Sequence, residues 1–195
     1  MRRLSATAAI VAAGPGVLAL AFASAGVDIA AYVSEGGIPG APHAGLYRAG
    51  VWLIAAALAL LAPPAYATVP LAGLAFALAA PAAVVSGAVA CSPGCPLPPF
   101  ERSTGADLLH AGASIAALSL CGIAMLLYAV QSVDSPLRRL ARLGVVAAAP
   151  LFALTAVGLL FVGQSLFTAT LERAALLVTA AWLLATAAMH ARAGP

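Results

Sequence analysis

The chain of 195 residues is 64% hydrophobic and only 8% charged, whereas a soluble domain carries about 45–50% apolar and about 25% charged residues. This composition excludes a water-soluble globule, and it also excludes intrinsic disorder, which requires low hydrophobicity. The nine basic residues are all arginine and are offset by six acids, so no dense basic surface is available to bind nucleic acid. The class that remains is an all-α polytopic membrane protein.

Six stretches are apolar over the roughly 20 residues that a membrane-crossing helix needs. Backbone amides in lipid must be paired within their own segment, and the alternating pattern of membrane β-barrels is absent, so each stretch predicts a helix. The sequence therefore predicts a single domain over residues 1–195, a six-transmembrane-helix bundle. Its predicted spans are about 8–33, 46–66, 69–90, 106–130, 140–163 and 172–190.

The first span begins after Met-Arg-Arg and contains Ala-Phe-Ala-Ser-Ala, features that a cleavable secretory signal also has. The apolar stretch is longer than a usual signal core and five spans follow, so we predict that it is retained. Asp28 is predicted near its outer end, among apolar residues. A carboxylate within the membrane needs a partner and marks a functional site by default. We expect Arg48 or His110 to be that partner; the alternative is an ion pair that only ties the first two helices together.

Arginines indicate the orientation. If six spans alternate, Arg2, Arg3, Arg138, Arg139, Arg142 and Arg192 fall on one side, and Arg48, Arg102 and Arg173 fall on the other. The positive-inside rule then predicts that both termini are cytoplasmic and that the 91–105 loop is extracytoplasmic, in a cell membrane.

Polar side chains gather at the predicted outer side, and in so apolar a chain their clustering suggests a vestibule that opens outward. Besides Asp28, the candidate binding residues are Ser34, Glu35, His43, Arg48, Glu101, Arg102, Gln164, Thr168, Glu172 and Arg173.

Asp107 and His110 are three residues apart, which places them on one face of the fourth helix. A carboxylate beside an imidazole suits general acid–base chemistry. Together with Asp28 they are the catalytic candidates. Two structural alternatives stay open: Thr104 to Asp107 has the form of a capping box, and His110 can hydrogen bond between helices.

Cys91 and Cys95 bracket Ser-Pro-Gly, a turn that can bring the two sulfurs together. In an extracytoplasmic loop the first expectation is a structural disulfide. A redox pair or a zinc site completed by a histidine are the alternatives, although the two-residue spacing of oxidoreductase motifs is absent. No metal site and no cofactor is predicted.

The six spans, Asp28 followed by Ser34, the Cys-Ser-Pro-Gly-Cys-Pro loop and Asp107-Leu-Leu-His110 together resemble the bacterial membrane family known as domain of unknown function 998. The resemblance extends over nearly the whole chain. It implies a six-helix bundle and implies no activity.

Three functions fit these observations. The first is a non-enzymatic protein that binds a lipid or a small apolar molecule, with membrane lipids as its partners. The second is an intramembrane enzyme that uses Asp and His as acid and base on a lipid or isoprenoid chain. The third is a small transporter, which needs a polar path to the cytoplasmic side.

Overall fold

The computed structural model describes residues 1–192 and contains six helices that are long and apolar enough to cross a membrane. A short 3-10 helix over Val33–Gly37 lies between the first two, and the described residues form no strand. The prediction of an all-α, six-span membrane protein is confirmed. The helices are α1 Arg2–Ala25, α2 Ala44–Tyr66, α3 Pro70–Ala88, α4 Gly105–Gln131, α5 Ser135–Phe161 and α6 Leu166–Arg192.

Helix α1 differs from its predicted span, since it begins at Arg2 and ends at Ala25 rather than covering 8–33. Gly26 caps it through a backbone hydrogen bond of 3.2 Å from its N–H to the Ala23 carbonyl. Asp28 then accepts a bond of 2.7 Å from the Ala30 N–H, a local turn that competes with helix. Residues 26–32 therefore form a loop, although their composition is as apolar as that of a span.

Helices α5 and α6 begin several residues before their predicted spans. The Asp134 carboxylate caps α5 through the Leu137 N–H at 3.3 Å, and a proline lies in the first turn. Long arginine side chains can lie along a helix and place their charge at the membrane surface, so a helix can extend beyond its apolar stretch. The length of the apolar stretch alone thus underestimates the length of these two helices.

The six helices pack in chain order around a ring. Each helix contacts the next one, and α6 contacts α1 to close the ring. Much of the buried core is alanine, with Leu61, Phe76, Met125 and Tyr128 among its fully buried larger side chains. Small residues let helices approach closely, which is the main source of packing energy in a lipid solvent.

Helices α1 and α2 approach each other closely where Gly16 faces Gly50. A Cβ added at Gly16 would lie 3.1 Å from the Gly50 carbonyl oxygen, and one added at Gly50 would lie 2.9 Å from the Leu20 side chain. A side chain at either position would require its neighbours to move. The glycine pair therefore sets the distance between the two helices.

The connections alternate between two ends of the bundle. We call the end that carries residues 26–43, 89–104 and 162–165 the cysteine end. The opposite end carries 67–69, 132–134, the start of α1 and the end of α6. The 3-10 helix at the cysteine end packs against α1, α2 and α6.

Candidate functional site

A cavity of about 430 Å³ lies inside the ring, toward the cysteine end. All six helices contribute to its wall, and on α4 the lining extends from Asp107 to Cys121, or about 21 Å at 1.5 Å per residue. Its volume falls in the range of small-molecule sites, about 300–1,000 Å³. The apolar part of the wall includes Val17, Leu20, Val51, Ile54, Leu58, Ile115, Leu118, Leu159, Leu176 and Leu183.

Asp107 is 1% exposed and is held by four hydrogen bonds. The backbone N–H and hydroxyl of Thr104 donate to it at 2.7 Å each, and those of Ser92 donate at 2.6 and 3.2 Å. Thr104 in turn accepts from the Asp107 N–H, which completes a capping box. The carboxylate therefore joins the start of α4 to the loop that precedes it.

His110 lies one turn further along α4 and does not hydrogen bond to Asp107. Its Nδ1 lies 2.9 Å from the Ser86 carbonyl oxygen and 2.7 Å from that of Val89, in the last turn of α3. Both partners are acceptors, so Nδ1 carries a proton and satisfies carbonyls that the end of a helix leaves unpaired. The imidazole is thus oriented by α3 rather than by Asp107, in line with the alternative that His110 hydrogen bonds between helices.

The other ring nitrogen of His110 has no partner. The residue is 4% exposed and lines the cavity, and its buried Nε2 makes no hydrogen bond within residues 1–192. Thr155, on α5, also lines the cavity, and its buried hydroxyl likewise makes no hydrogen bond within residues 1–192. Neither unpaired group could be read from the sequence, because both depend on how α4 and α5 face the cavity.

Ser86 and Ser114 bridge α3 and α4 at the cavity wall. Their hydroxyl oxygens are 2.7 Å apart, and Ser114 donates to the His110 carbonyl at 2.9 Å. Since the single Ser114 hydrogen is used there, Ser86 donates to Ser114. Sequence reasoning missed both serines, which look like ordinary small residues in apolar helices.

Glu172 and the 3-10 helix close part of the cysteine end. The Glu172 carboxylate, on α6, accepts the Val33 N–H at 2.9 Å, while Glu35 accepts the Tyr32 N–H at 3.2 Å and the Gln164 side chain. Burial, together with the charges of the nearby glutamates, raises the pKa of the Tyr32 hydroxyl to about 12. Tyr32 therefore lines the cavity as a neutral hydroxyl.

Arg48 and Arg173, at this end, bind backbone carbonyls rather than carboxylates. Arg173 donates to the carbonyls of Ile29 at 3.0 Å, Ala169 at 3.2 Å and Asp28 at 3.3 Å, and Arg48 donates to Gly37 at 3.4 Å. These bonds pin the 26–43 connection onto α2 and α6.

Asp28 does not occupy the position that the sequence suggested. Its side chain is exposed, caps the local turn at Ala30 and does not line the cavity. The expected contact with Arg48 or His110 is wrong, because the end of α1 at Ala25 leaves Asp28 in a loop.

Cys91 and Cys95 lie at disulfide distance, with Cα atoms 5.0 Å apart, and both line the cavity. The Ser34 hydroxyl donates to the Cys95 sulfur at 3.2 Å. No group of three or more His, Cys, Asp or Glu side chains that could hold a metal ion occurs in residues 1–192.

The candidates named from the sequence separate into two sets. The cavity wall includes Ser34, Asp107, His110, Glu172, Arg173 and both cysteines. His43 instead packs against Phe22 with the two rings tilted by 55° and their centroids 4.9 Å apart. Thr168 is fully buried, and its hydroxyl hydrogen bonds with that of Ser165. The candidates outside the wall are Asp28, Glu35, His43, Arg48, Glu101, Arg102, Gln164 and Thr168.

Comparison with known proteins identifies the family. The family model described as "Protein of unknown function (DUF998)" matches residues 5–189, which is nearly the whole chain. A search of curated proteins and a search of solved structures each found no match. The resemblance seen in the spans and in the cysteine loop is confirmed, and the chain belongs to the DUF998 family of multi-pass membrane proteins.

Proposed function

We propose that the protein binds one apolar molecule with a small polar head, a lipid or an isoprenoid, in the cavity at the cysteine end. The observation that carries this proposal is the shape and chemistry of the cavity. It extends about 21 Å along α4, and its wall is mostly aliphatic, with its polar groups concentrated toward the cysteine end. An apolar chain fits the deep part of the cavity, and a polar head fits the part near the cysteine end.

The far end of the cavity supports binding rather than transport. Beyond it, Phe76, Tyr128 and Trp182 fill the ring, with Trp182 5.9 Å from Phe76 and 6.1 Å from Tyr128 between ring centroids. All three are buried in the core. A transporter would need a polar path through this layer, and these rings offer none.

The hydrogen bonds of Asp107 and His110 also favour binding over acid–base catalysis. The Asp107 carboxylate is occupied by Ser92 and Thr104, and Nδ1 of His110 by the α3 carbonyls. Asp107 therefore does not orient the imidazole as the carboxylate of a catalytic Asp–His pair does.

A cavity-filling substitution tests the proposal. Ala180 lines the cavity on α6, whereas its neighbour Ala181 is exposed and outside the wall. We expect Ala180→Phe to reduce co-purifying lipid severalfold in native mass spectrometry, because the ring occupies the space of the chain.

Ala181→Phe is the matched control and should retain the lipid of the unmodified protein. Equal lipid retention by both variants, or no lipid bound by the unmodified protein after extraction in mild detergent, would contradict the proposal.

We also infer that the cysteine end faces away from the cytoplasm in a cell membrane. Six arginines lie at the opposite end or in the helix turns beside it, against three at the cysteine end. An excess of arginine in short connections favours the cytoplasmic side. Labelling of single engineered cysteines on intact cells measures this sidedness.

A further inference from the structure

On the wall that α3 and α4 present to the cavity, the side-chain donors of His110, Ser86 and Ser114 already bond to protein atoms, whereas an acceptor remains available. Nδ1 of His110 donates to α3 carbonyls, Ser114 donates to the His110 carbonyl, and Ser86 donates to Ser114. In the neutral imidazole, Nε2 then keeps a lone pair. That atom is buried and unpaired, and a buried acceptor without a donor costs free energy until something donates to it.

The Thr155 hydroxyl is the second unpaired group and lies at a similar depth. His110 is five residues from the start of α4, and Thr155 is six residues before the end of α5. At 1.5 Å per residue, these positions lie about 8 and 9 Å from the cysteine end of two adjacent antiparallel helices. Unlike Nε2 of His110, the Thr155 hydroxyl can donate.

We propose that the ligand of this cavity carries a hydroxyl head, which donates to Nε2 of His110 and accepts from the Thr155 hydroxyl. This inference rests on the proposed binding function and names the ligand class, a long-chain or isoprenoid alcohol. A hydroxyl both donates and accepts, so it satisfies both unpaired groups at once.

Other head groups fit less well. An ester or ether oxygen cannot donate to Nε2. A carboxylate or a fully ionised phosphate cannot donate either, and it would bring negative charge into a cavity that Asp107 and Glu172 already line. Arg173 also lines the wall, but its single positive charge is outnumbered by these two carboxylates.

The apolar chain of the ligand contributes little to the selectivity of the cavity among lipids. A chain that moves from the bilayer into the cavity exchanges one apolar surface for another, so burial of the chain barely distinguishes one lipid from another. The polar groups at the level of His110 and Thr155 are therefore expected to determine which head is bound.

Two probes that share one chain and carry either O–H or O–CH3 as the head test the inference. Hexadecanol and hexadecyl methyl ether have the same chain, but only the alcohol can donate. With purified protein in detergent, native mass spectrometry should show the alcohol bound about fivefold more tightly than the ether, the effect of one net hydrogen bond.

Substitutions locate the effect. In His110→Asn the amide nitrogen can replace Nδ1 on the α3 carbonyls while Nε2 is lost, so the preference for the alcohol should fall to about one. Thr155→Val should instead weaken the binding of both probes, because the oxygen of either one can accept from the Thr155 hydroxyl, and should leave the preference unchanged. His43→Asn makes the same change outside the cavity and should leave the preference unchanged. Melting temperatures verify that each variant is folded. If His110→Asn does not fold, the test uses the unmodified protein and Thr155→Val.

Two failures are distinguishable. The hydroxyl-head inference is overturned, while chain binding stands, if the unmodified protein binds both probes equally or if the preference survives His110→Asn. It is also overturned if Thr155→Val binds both probes as tightly as the unmodified protein does. If neither probe binds, the proposed binding function and this inference fail together.

Discussion

Asp107 and His110 lie one turn apart on α4, and each serves a different neighbour. Asp107 receives hydrogen bonds from Thr104 and Ser92, whereas His110 is held by the end of α3. The sequence indicated the capping role of Asp107, because a capping box is local and its spacing is visible. It could not indicate the partners of His110, because the imidazole meets the carbonyls at the end of α3 only through tertiary packing.

Removing the Asp107 carboxylate should destabilise the protein strongly. In Asp107→Ala, the N–H groups of Ser92 and Thr104 lose their acceptor, and we expect the free energy of unfolding to fall by about 3 kcal/mol. The measurement is reversible unfolding in mixed micelles.

Asp134→Ala provides the matched control, since Asp134 caps α5 through one hydrogen bond from Leu137 and is exposed. We expect a loss of about 1 kcal/mol. Equal losses in the two variants would show that the four bonds of Asp107 add nothing beyond an ordinary cap.

At the scale of elements, apolar runs locate all six helices and misplace several of their ends. Gly26 and the turn at Asp28 end α1 although the residues that follow remain apolar. The error had a consequence for the site, because it placed Asp28 in the membrane. The cavity wall was only partly foreseen, since Ser86, Ser114 and Thr155 carry no distinctive spacing.

The close crossing of α1 and α2 makes a prediction at this scale. In Gly50→Ala the new methyl group would lie 2.9 Å from Leu20 and 3.0 Å from the Gly16 carbonyl oxygen. Because the helices must separate, we expect a loss of about 1–3 kcal/mol in the free energy of unfolding.

Gly45 is the control on the same helix, because an added Cβ there meets nothing within 4 Å. Gly45→Ala should leave the free energy of unfolding unchanged or raise it by up to about 1 kcal/mol. A tolerated Gly50→Ala would mean that the crossing does not depend on the glycine pair.

At the scale of the whole molecule, the number of spans and the alternation of connections follow from apolar length. Closure of the ring does not follow from it, because the contact of α6 with α1 joins the most distant helices in the chain. The cavity inside the ring was anticipated only as a polar vestibule, and the structure adds its aliphatic depth.

Sidedness is a property of the whole molecule and is tested with two exposed positions. Ile29 is 70% exposed in the 26–43 connection, and Val133 is 92% exposed at the opposite end. In a Cys121→Ala background, Ile29→Cys should react with a membrane-impermeant maleimide on intact cells. Val133→Cys should react only after permeabilisation, and the reverse pattern would invert the proposed orientation.

Packing in chain order has a consequence for biogenesis. Each helix that leaves the ribosome can dock on the one made just before it, so five of the six interfaces form between sequential neighbours. The interface between α6 and α1 must wait until synthesis of the last helix is complete. The part of the cavity wall that α6 supplies is therefore the last to be put in place.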